Sequence, residues 1–329
     1  MKAAYLTAYG GPDVLAIRDI PAPVLAPHDV LIRQHASTVS PADCAMRSGN
    51  PALIRLFTGL TRPRQPVPGG AVAGVVEAVG AAVTRYRPGD RVFGTTDPHP
   101  NAMAELVALP EEGALALLPE RASYADAAAL SYSFLTAMPY LRDEAQLKPG
   151  QSILIHGAAG SIGVVAVQLA RQMGAIVTAT CSTHRLALVE SLGPDRTIDR
   201  TAEDFTATSA AYDVIFDTVG KSSFAACREA LKPGGIYLTT TPSLAIATNM
   251  LRGTQADGKR AKMATTGLRK TADKARDIEL LRTMLAAGTL RAVIDRTYPL
   301  ERIAEAHAYV ETGTKAGDVV IEITPSLSA

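Results

Sequence analysis

The stretch QSILIHGAAGSIGVVAVQLARQMG, residues 151–174, decides the fold of this chain. The apolar run 153–155 predicts a buried strand, and the small residues 157–163 predict a tight turn. Apolar residues then recur at helical spacing over 164–173, which predicts a helix directly after the turn. Strand, small turn and helix in this order form the first half of a dinucleotide-binding βαβ unit. Its turn lets the backbone approach a pyrophosphate, and the N–H groups at the helix start point at that anion.

The pattern downstream of this turn supports the interpretation. The register is Ala158-x-Gly160-x-x-Gly163, with alanine where the first glycine of G-x-G-x-x-G is usual, and such a turn also occurs as a plain connection in any parallel sheet. Further strands are predicted at 176–180 and 213–217, and a helix end, a turn and another strand over 232–238. Strands and helices that alternate in this way predict an α/β fold with a doubly wound parallel sheet.

The end of the second predicted strand indicates which cofactor binds. An NAD site usually has a carboxylate there for the ribose 2′-hydroxyl, but here CSTHR follows the strand and no carboxylate occurs before Glu190. The hydroxyl of Ser182 and the guanidinium of Arg185 suit a 2′-phosphate instead. We therefore expect NADPH rather than NADH. The alternative is that Arg185 is a solvated residue of the first helical turn.

Composition excludes several classes of protein. The chain has 329 residues, is 47% hydrophobic and 20% charged, and has a formal net charge of +1, so nothing indicates a nucleic-acid partner. No apolar run approaches the roughly 18 residues that a membrane span needs, and the N-terminus lacks a signal-peptide core. Cys44, Cys181 and Cys227 form no C-x-x-C pair, which suits a reducing cytoplasm.

The ends of the chain differ from its middle. Short strand-like runs with proline and glycine punctuation recur in the first 120 or so residues, and β character returns near the C-terminus. We expect a discontinuous β-rich catalytic domain at 1–122 and 293–329, with a nucleotide-binding domain at 123–292 inserted into it. The cleft between them would hold nicotinamide and substrate.

Several motifs, taken together and in order, resemble the medium-chain dehydrogenase/reductase superfamily, and within it the zinc-free quinone oxidoreductase branch. They are Ser40-Pro41-Ala42-Asp43 with Arg47-Ser48-Gly49, Gly74-x-Val76-x-x-Val79-Gly80, Pro88-Gly89-Asp90, Leu135-Thr136-Ala137, the Ala158 turn, Asp217-Thr218-Val219-Gly220 and Lys232-Pro233-Gly234-Gly235. The resemblance spans essentially the whole chain. It implies a GroES-like catalytic domain, a Rossmann domain, NADPH dependence and, commonly, dimers.

The resemblance also implies a set of cofactor contacts. The turn would bind the pyrophosphate, the second strand's end would bind the 2′-phosphate, and other loops would lie near the nicotinamide. Arg200 stands where the branch often has a tyrosine beside the phosphate. The expected cofactor-binding residues are Thr136, Ala158, Ala159, Gly160, Ser161, Ile162, Gly163, Ser182, Arg185, Arg200, Val219, Thr240 and Thr241.

The zinc ligands of related alcohol dehydrogenases are replaced in this chain. Ser40 stands at the cysteine position, Gly70 lies where a histidine is expected, and Tyr132 falls near the third ligand position. Zinc needs three or four nitrogen, sulfur or oxygen ligands, so no metal is expected. His156, at the end of the first nucleotide-binding strand, is interpreted as a packed histidine rather than a catalytic one.

Without zinc, an acceptor that needs little Lewis-acid help fits best: a small hydrophobic quinone, or an α,β-unsaturated carbonyl. Ser40 and Tyr132 are the candidate catalytic donors to the oxygen that becomes negative, although Ser40 also fits a turn residue and Tyr132 a half-buried core aromatic. A zinc-independent alcohol dehydrogenase or carbonyl reductase remains an alternative. So does a non-catalytic NADPH-binding regulator.

Two further segments carry predictions. Residues 50–68 combine exposed-type apolar residues with arginines, and form either a lid over a hydrophobic substrate or a loop packed on its own domain. Residues 263–266 are predicted to be an edge strand of the nucleotide-binding sheet. Pairing of two such edges would make a homodimer, since an unpaired apolar edge strand is a liability.

Overall fold

The protein is described by a computed structural model over residues 1–96 and 98–323. Along the chain, the strands are β1 (Lys2–Leu6), β2 (Leu15–Asp19), β3 (Asp29–Val39), β4 (Ala71–Val79), β5 (Arg91–Thr95), β6 (Leu106–Pro110), β7 (Leu115–Leu117), β8 (Ser152–His156), β9 (Ile176–Cys181), β10 (Arg196–Asp199), β11 (Tyr212–Asp217), β12 (Leu231–Thr239), β13 (Arg260–Lys262), β14 (Ile294–Pro299) and β15 (Asp318–Glu322). The helices are α1 (Pro41–Ser48), α2 (Arg55–Thr58), α3 (Tyr124–Pro139), α4 (Ser161–Gln172), α5 (Leu186–Glu190), α6 (Phe224–Cys227), α7 (Leu244–Arg252), α8 (Thr271–Ala287) and α9 (Ile303–Glu311).

The chain folds into two compact units. Unit 1 comprises Met1–Tyr132 and Gly267–Ala329, and unit 2 comprises Ser133–Thr266. The predicted domains divide the chain at 122/123 and 292/293 instead. The difference arises because the first boundary between the units, 132/133, falls inside α3, and because α8 packs against β7 of unit 1. A helical pattern alone does not reveal which sheet the helix will cover.

Unit 1 is built on a largely antiparallel sheet. Its strand order is β14-β15-β3-β4-β5-β7, with β6 paired to β3, while β1 and β2 form a separate antiparallel pair. In β3 the side chains of residues 29–36 are alternately buried and partly exposed, as expected for a sheet with one face in the core. Register shifts at Leu31/Ile32 and Gln34/Ala36 interrupt the ladder with β4, which increases the local twist of the sheet.

Unit 2 contains the predicted doubly wound sheet. Its six strands are parallel in the order β10-β9-β8-β11-β12-β13, so β8 and β11 lie side by side although α4, β9, α5 and β10 come between them in sequence. The strand order reverses direction at this pair. In open parallel sheets, ligands bind outside the carboxyl ends of the strands at such a reversal. The fold therefore identifies the ends of β8 and β11 as the place to look for a site.

The predicted edge strand at 263–266 was wrong in its position. The outermost strand is β13, Arg260–Lys262, which pairs with residues 236–238 of β12. After Lys262 the backbone leaves the ladder, because the N–H of Ala264 donates to the phenol oxygen of Tyr140 at 3.0 Å. The same phenol donates to the carbonyl of Thr239 at 2.7 Å, so a side chain takes the place of strand pairing there.

Within the described residues, every helix is too short or too polar to cross a bilayer.

Candidate functional site

The loops after β8, β11 and β12 meet at the carboxyl edge of the unit 2 sheet. The hydroxyl of Thr218, just after β11, donates to the carbonyl of His156 at 2.9 Å and reaches that of Gly157 at 3.2 Å. The hydroxyl of Thr240, just after β12, donates to the carbonyl of Thr218 at 3.1 Å. These side-chain hydrogen bonds connect the loops after β8, β11 and β12. Together the three loops form a rim beside the point where the strand order reverses.

The glycine turn at this rim is tight because two of its glycines have no room for a side chain. Gly157 has a φ of +82°, and a Cβ there would lie 2.7 Å from a methyl of Val219. A Cβ on Gly163 would lie 2.3 Å from the carbonyl oxygen of Gly157, so the first turn of α4 rests directly on the strand end. Gly157 was not among the predicted residues, because the register began at Ala158. A glycine directly after the strand was the signal that could have identified it.

Gly160 is different from its two neighbours. Its φ is −78°, and a Cβ there would have only ordinary contacts, 3.4 Å to the Gly157 carbonyl and 3.9 Å to Val219. The protein itself therefore has room for a side chain at Gly160. The space that such a side chain would enter lies in front of the turn, where a ligand's phosphates would approach.

The N-terminus of α4 is suited to an anion. Gly160 is its N-cap and supplies no capping side chain, and the first N–H bonded back into the helix is that of Val164 at 2.9 Å. The N–H groups of Ile162 and Gly163 precede that bond, so no carbonyl one turn earlier in the helix accepts them. Ala158, by contrast, is fully buried and its N–H donates to the carbonyl of Thr180 at 3.0 Å. Of the predicted turn residues, Ala158 and the 9% exposed Ala159 shape the turn, while 160–163 present the helix start.

Asp217, at the end of β11, organises the second loop of the rim. Its buried carboxylate accepts N–H groups from Val219 at 3.1 Å, Gly220 at 2.8 Å and Ser222 at 2.8 Å, and the hydroxyl of Tyr237 at 3.0 Å. Burial, followed by the neighbouring Asp217, raises the pKa of Tyr237, which keeps this hydroxyl a donor. The network holds Val219, 40% exposed, against the glycine turn. Asp217 was quoted in a motif but not predicted as a site residue.

Thr240, Thr241 and Thr136 complete the predicted set on this side. Thr241 packs against Gly220, since a Cβ on Gly220 would lie 2.3 Å from its hydroxyl oxygen. Thr136 is buried on α3, four residues before Tyr140, whose hydroxyl reaches the end of β12. The structure thus brings Val219, Thr240 and Thr241 to the glycine turn and places Thr136 on the helix that is bonded to the same edge.

The ends of β9 and β10 hold the residues predicted to bind a 2′-phosphate. Ser182 and Arg185 are half-buried at the start of the short turn after β9, where the N–H of Arg185 donates to the carbonyl of Ser182 at 2.8 Å. Arg200 is exposed after β10, and its N–H donates to the carbonyl of Cys181 at 2.9 Å. Parallel pairing of the two strands therefore brings both arginines to neighbouring positions on one edge.

A carboxylate that sequence analysis missed also lies here. Asp199 ends β10 opposite Cys181, and its carboxylate accepts the N–H of Thr201 at 2.9 Å and its hydroxyl at 2.6 Å. The hydroxyl of Thr183, followed by that of Thr201, holds the pKa of Asp199 below its usual range. Asp199 is close in space to the end of β9, although it is distant from it in sequence. Its Oδ1 accepts hydrogen bonds from hydroxyl and amide donors.

His156 is a packed histidine, as predicted. It is 5% exposed, its Nδ1 lies 2.8 Å from the hydroxyl of Thr180, and its ring stacks on Phe205 with 4.6 Å between centroids. Burial lowers its pKa, so the ring is neutral at pH 7. Its role is to support the end of β8 beneath the glycine turn.

The two candidate catalytic residues lie on different elements of unit 1. Ser40 is the N-cap of α1. Its hydroxyl donates to Asp43 Oδ2 at 2.5 Å and accepts the N–H of Asp43 at 3.3 Å, and the same carboxylate accepts the N–H of Ser40 at 2.8 Å. This reciprocal capping box engages the proton that a catalytic donor would need. Tyr132 is half-buried in the middle of α3.

The residues of unit 1 do not fit a zinc ion. Within 1–96 and 98–323, no three His, Cys, Asp or Glu side chains come together closely enough to hold a metal. Ser40, which replaces a cysteine ligand of related enzymes, is occupied as a helix cap. No step that depends on zinc is derived for this chain.

The segment 50–68 is anchored at its end and exposed in its middle. The carbonyl of Pro66 accepts the N–H of Leu6 at 2.7 Å, and Val67 is buried with the unit 1 core. Four of its large apolar side chains are 56 to 73% exposed; they are Leu53, Leu56, Phe57 and Leu60. The packed-loop alternative therefore fails for these four side chains.

Comparison with known families agrees with both folds. The family described as "Alcohol dehydrogenase GroES-like domain" matches residues 26–140, and the family described as "Zinc-binding dehydrogenase" matches residues 192–321. The β-rich unit 1 and the parallel sheet of unit 2 are the two folds expected of such a protein. This chain belongs to the medium-chain dehydrogenase/reductase superfamily, in its quinone oxidoreductase branch.

Individual relatives span nearly the whole chain. The 2-methylene-furan-3-one reductase of Solanum lycopersicum is 33% identical over 99% of this chain and 80% of its own length. The chloroplastic NADPH-dependent alkenal/one oxidoreductase of Arabidopsis thaliana is 32% identical over the same shares. The structure of the quinone oxidoreductase from Coxiella burnetii matches with a TM-score of 0.86 at 29% identity, covering 98% of this chain and 99% of that one.

Proposed function

We propose that this protein is an NADPH-dependent oxidoreductase that transfers hydride to a quinone or to an α,β-unsaturated carbonyl. The observation that carries the proposal is the rim at the β8/β11 reversal, where a glycine turn and an uncapped helix start face the same space. The relatives' names supply the acceptor classes: a 2-methylene-furan-3-one, alkenals and alkenones, and quinones. The predicted division into a catalytic domain at 1–122 and 293–329 and a cofactor domain at 123–292 is part of this proposal.

The cofactor's pyrophosphate would be bound by the backbone rather than by side chains. The N–H groups of Ile162 and Gly163 and the positive end of the α4 dipole favour a dianion there. Gly160 leaves the space for its phosphates, and Val219 would give the dinucleotide an apolar contact over the turn. Thr136, Thr240 and Thr241 would lie toward the nicotinamide end, since they stand at the edge of β12 and α3.

The preference for NADPH over NADH would come from the neighbouring strand ends. Arg185 and Arg200 can donate to a 2′-phosphate, and Ser182 can add a hydroxyl. Asp199 stays ionised, because donation from Thr183 and Thr201 lowers its pKa, so the two arginines would have to outweigh its repulsion of a phosphate. The name of the Arabidopsis thaliana relative specifies NADPH, which supports this preference.

The nicotinamide, when bound, supplies the hydride, and the protein's work is to position it and to exclude competing reactions. Hydride delivered to the β-carbon of an enone leaves an enolate that takes a proton at the α-carbon. A quinone accepts one hydride, which carries two electrons, and one proton to become a hydroquinone. Either acceptor oxygen gains negative charge, which a hydrogen-bond donor would stabilise.

Ser40 and Tyr132 are the two side-chain candidates for that donor. The hydroxyl of Ser40 is already bonded to the carboxylate of Asp43, and breaking this bond would uncap α1. Tyr132 is half-buried with a phenol that can donate. The reaction is proposed to proceed without zinc, because the donor set around Ser40 does not suit a metal.

Label transfer tests the proposal directly. NADPH carrying deuterium at C4 would be incubated with a panel of benzoquinones, naphthoquinones, alkenals and alkenones, with simple alcohols plus NADP⁺ as the comparison. We expect deuterium at the β-carbon of the enone product or stoichiometric hydroquinone, and no turnover of alcohols. Turnover of alcohols alone would support the zinc-independent alcohol dehydrogenase instead. Binding of NADPH with no label in any product would support the non-catalytic regulator.

The protein is also proposed to form a homodimer through the edge strand β13 of unit 2. This strand has only β12 as a partner within the described chain, so its outer N–H and C=O groups are open to pairing. A cytoplasmic location is part of the same proposal. The three free thiols, Cys44, Cys181 and Cys227, are buried, which suits a reducing compartment.

A further inference from the structure

A cavity of about 430 Å³ lies within unit 1, separate from the residues assigned above to cofactor or acceptor. One wall is formed by Tyr5, Leu6 and Thr7 at the end of β1. The other is formed by the prolines and arginines of 62–66. A volume of this size falls in the range of small-molecule sites, which is roughly 300–1,000 Å³.

Both walls are held in place by backbone bonds. Leu6 donates its N–H to the carbonyl of Pro66 at 2.7 Å, and Arg64 donates its N–H to the carbonyl of Thr58 at 2.7 Å. The hydroxyl of Tyr9 lies 2.7 Å from that of Thr58 and donates to the carbonyl of Gly59 at 2.6 Å. Pro63 and Pro66 restrict the backbone further. The arginines therefore project from a fixed frame.

The charge of this cavity is positive and uncompensated. Arg62 and Arg64 are exposed, and neither makes an ion pair or a side-chain hydrogen bond to any residue in the described part of the chain. No Asp or Glu occurs in 50–68. A third guanidinium, that of Arg18, lies 4.7 Å from the centre of the Tyr5 ring.

Some other arginines of unit 1 have acidic partners, and the 33 Lys and Arg of the chain are nearly balanced by 32 Asp and Glu. Arg33 pairs with Glu77 at 2.6 Å, and Arg47 pairs with Glu311. Two arginines without ion pairs therefore make one cavity wall positively charged, although the chain as a whole is nearly neutral.

We propose that this cavity binds the phosphate group of a small phosphomonoester. Two guanidinium groups match the charge of a phosphate dianion, and each can donate two parallel N–H bonds to its oxygens. The hydroxyl of Thr7 donates to the carbonyl of Val14 at 3.1 Å, so the arginines rather than Thr7 would bind the dianion. The remaining volume beside Tyr5 accommodates the organic part. The same phosphate chemistry could also be supplied by inorganic phosphate, and the test distinguishes the two sources.

Isothermal titration tests the site in the full-length protein at fixed ionic strength. Phenyl phosphate and inorganic phosphate are titrated into wild type, the double variant Arg62→Ala/Arg64→Ala, and the control Arg252→Ala, an exposed arginine at the end of α7. We expect binding of phenyl phosphate that weakens at least about tenfold in the double variant and is unchanged in the control. A tenfold loss corresponds to about 1.4 kcal/mol, within the range for charged hydrogen bonds.

Two further arms make the result decisive. The variant Arg62→Lys/Arg64→Lys keeps the charge but loses the planar fork, so binding should fall between wild type and the alanine variant. Equal affinity for inorganic phosphate and phenyl phosphate would identify free phosphate as the source, with the site retained. The proposal is overturned if wild type and the alanine variant bind phenyl phosphate equally. It is also overturned if the alanine variant loses NADPH affinity to the same extent, because the arginines would then serve the cofactor.

Discussion

The hydroxyl of Ser40 donates to the carboxylate of Asp43 at 2.5 Å, and the N–H of Asp43 donates back to that hydroxyl at 3.3 Å. This contact makes Ser40 the cap of α1 in the position where related zinc enzymes have a cysteine ligand. Ser40, a candidate donor to the oxyanion, therefore caps the N-terminus of a helix.

We expect Ser40→Ala to reduce stability and to leave turnover nearly unchanged. Loss of a serine N-cap costs about 1 kcal/mol, which should lower the melting temperature by a few degrees. Ser40→Asn, which can still cap, is the control and should retain most of the stability. The measurements are thermal unfolding and steady-state kinetics on the same quinone. A fall of about 10²–10³ in kcat for Ser40→Ala would instead restore Ser40 as a donor to the oxyanion.

Gly160→Val should abolish NADPH binding without unfolding the protein. A Cβ at Gly160 meets nothing closer than 3.4 Å, so the added side chain fits the fold and occupies only the ligand's space. Fluorescence titration with NADPH and thermal unfolding would be compared with those of Gly163→Ala. That variant forces a Cβ to within 2.3 Å of the Gly157 carbonyl and should lose stability as well. Wild-type NADPH affinity in Gly160→Val would disprove the assignment of the turn.

Arg185→Ala and Arg200→Ala should each weaken NADPH binding and leave NADH binding unchanged. A charged hydrogen bond to phosphate contributes roughly 1.5–3 kcal/mol, so each loss should be at least about tenfold. Dissociation constants for both cofactors would be measured in wild type and in both variants, with Arg252→Ala as an exposed control. If wild type bound the two cofactors equally, the preference for NADPH would be wrong.

His307 should make unit 1 sensitive to acid. Its side chain is fully buried on α9 with Nδ1 3.5 Å from the sulfur of Cys44, and burial, followed by the charge of Arg47, lowers its pKa to about 3. The unfolded chain gains a proton near pH 6.5 while the folded chain does not, so the stabilisation is complete above that pH. It is lost as pH falls toward 3, by at most about 1.4 kcal/mol per pH unit.

The measurement for His307 is the free energy of unfolding in urea between pH 7 and pH 4. We expect His307→Gln to have a lower stability at pH 7 and a shallower loss on acidification than wild type. His184, which is exposed after β9, gives the control variant His184→Gln with an unchanged profile. If the free energies of unfolding of wild type and His307→Gln fell in parallel with pH, another group would be responsible for the loss of stability in acid.

A proline in β13 should dissociate the proposed homodimer. Lys262→Pro introduces a residue that cannot donate to a ladder, on an edge strand of only three residues. Sedimentation at micromolar concentration should show a dimer for wild type and a monomer for this variant. Arg252→Pro, at the last residue of α7 rather than in a strand, is the control for proline itself. A monomeric wild type would contradict the proposal.

Local sequence was sufficient to predict the fold class and most of the glycine turn. The strand at 153–155 and the helix from Ser161 are predicted by the spacing of the apolar residues and by the small residues of the turn between them. These patterns depend only on neighbouring residues in the chain. The parallel sheet and the family membership agreed with that analysis. Residues 160–163, Val219 and Thr240 came together because the carboxyl ends of parallel strands share one edge.

Tertiary structure alone decided which of several chemically suitable groups are available. Asp199 approaches Thr183 only because β10 pairs with β9. Tyr140 takes the place of strand pairing at Ala264 only because its hydroxyl also reaches the carbonyl of Thr239 at the end of β12. The division into units likewise depended on which sheet α8 covers. Sequence patterns record the preference of each segment for its own conformation. Hydrogen-bond partners distant in the chain are chosen by packing, which is why the sequence did not indicate Asp199 and the folded protein places it beside the end of β9.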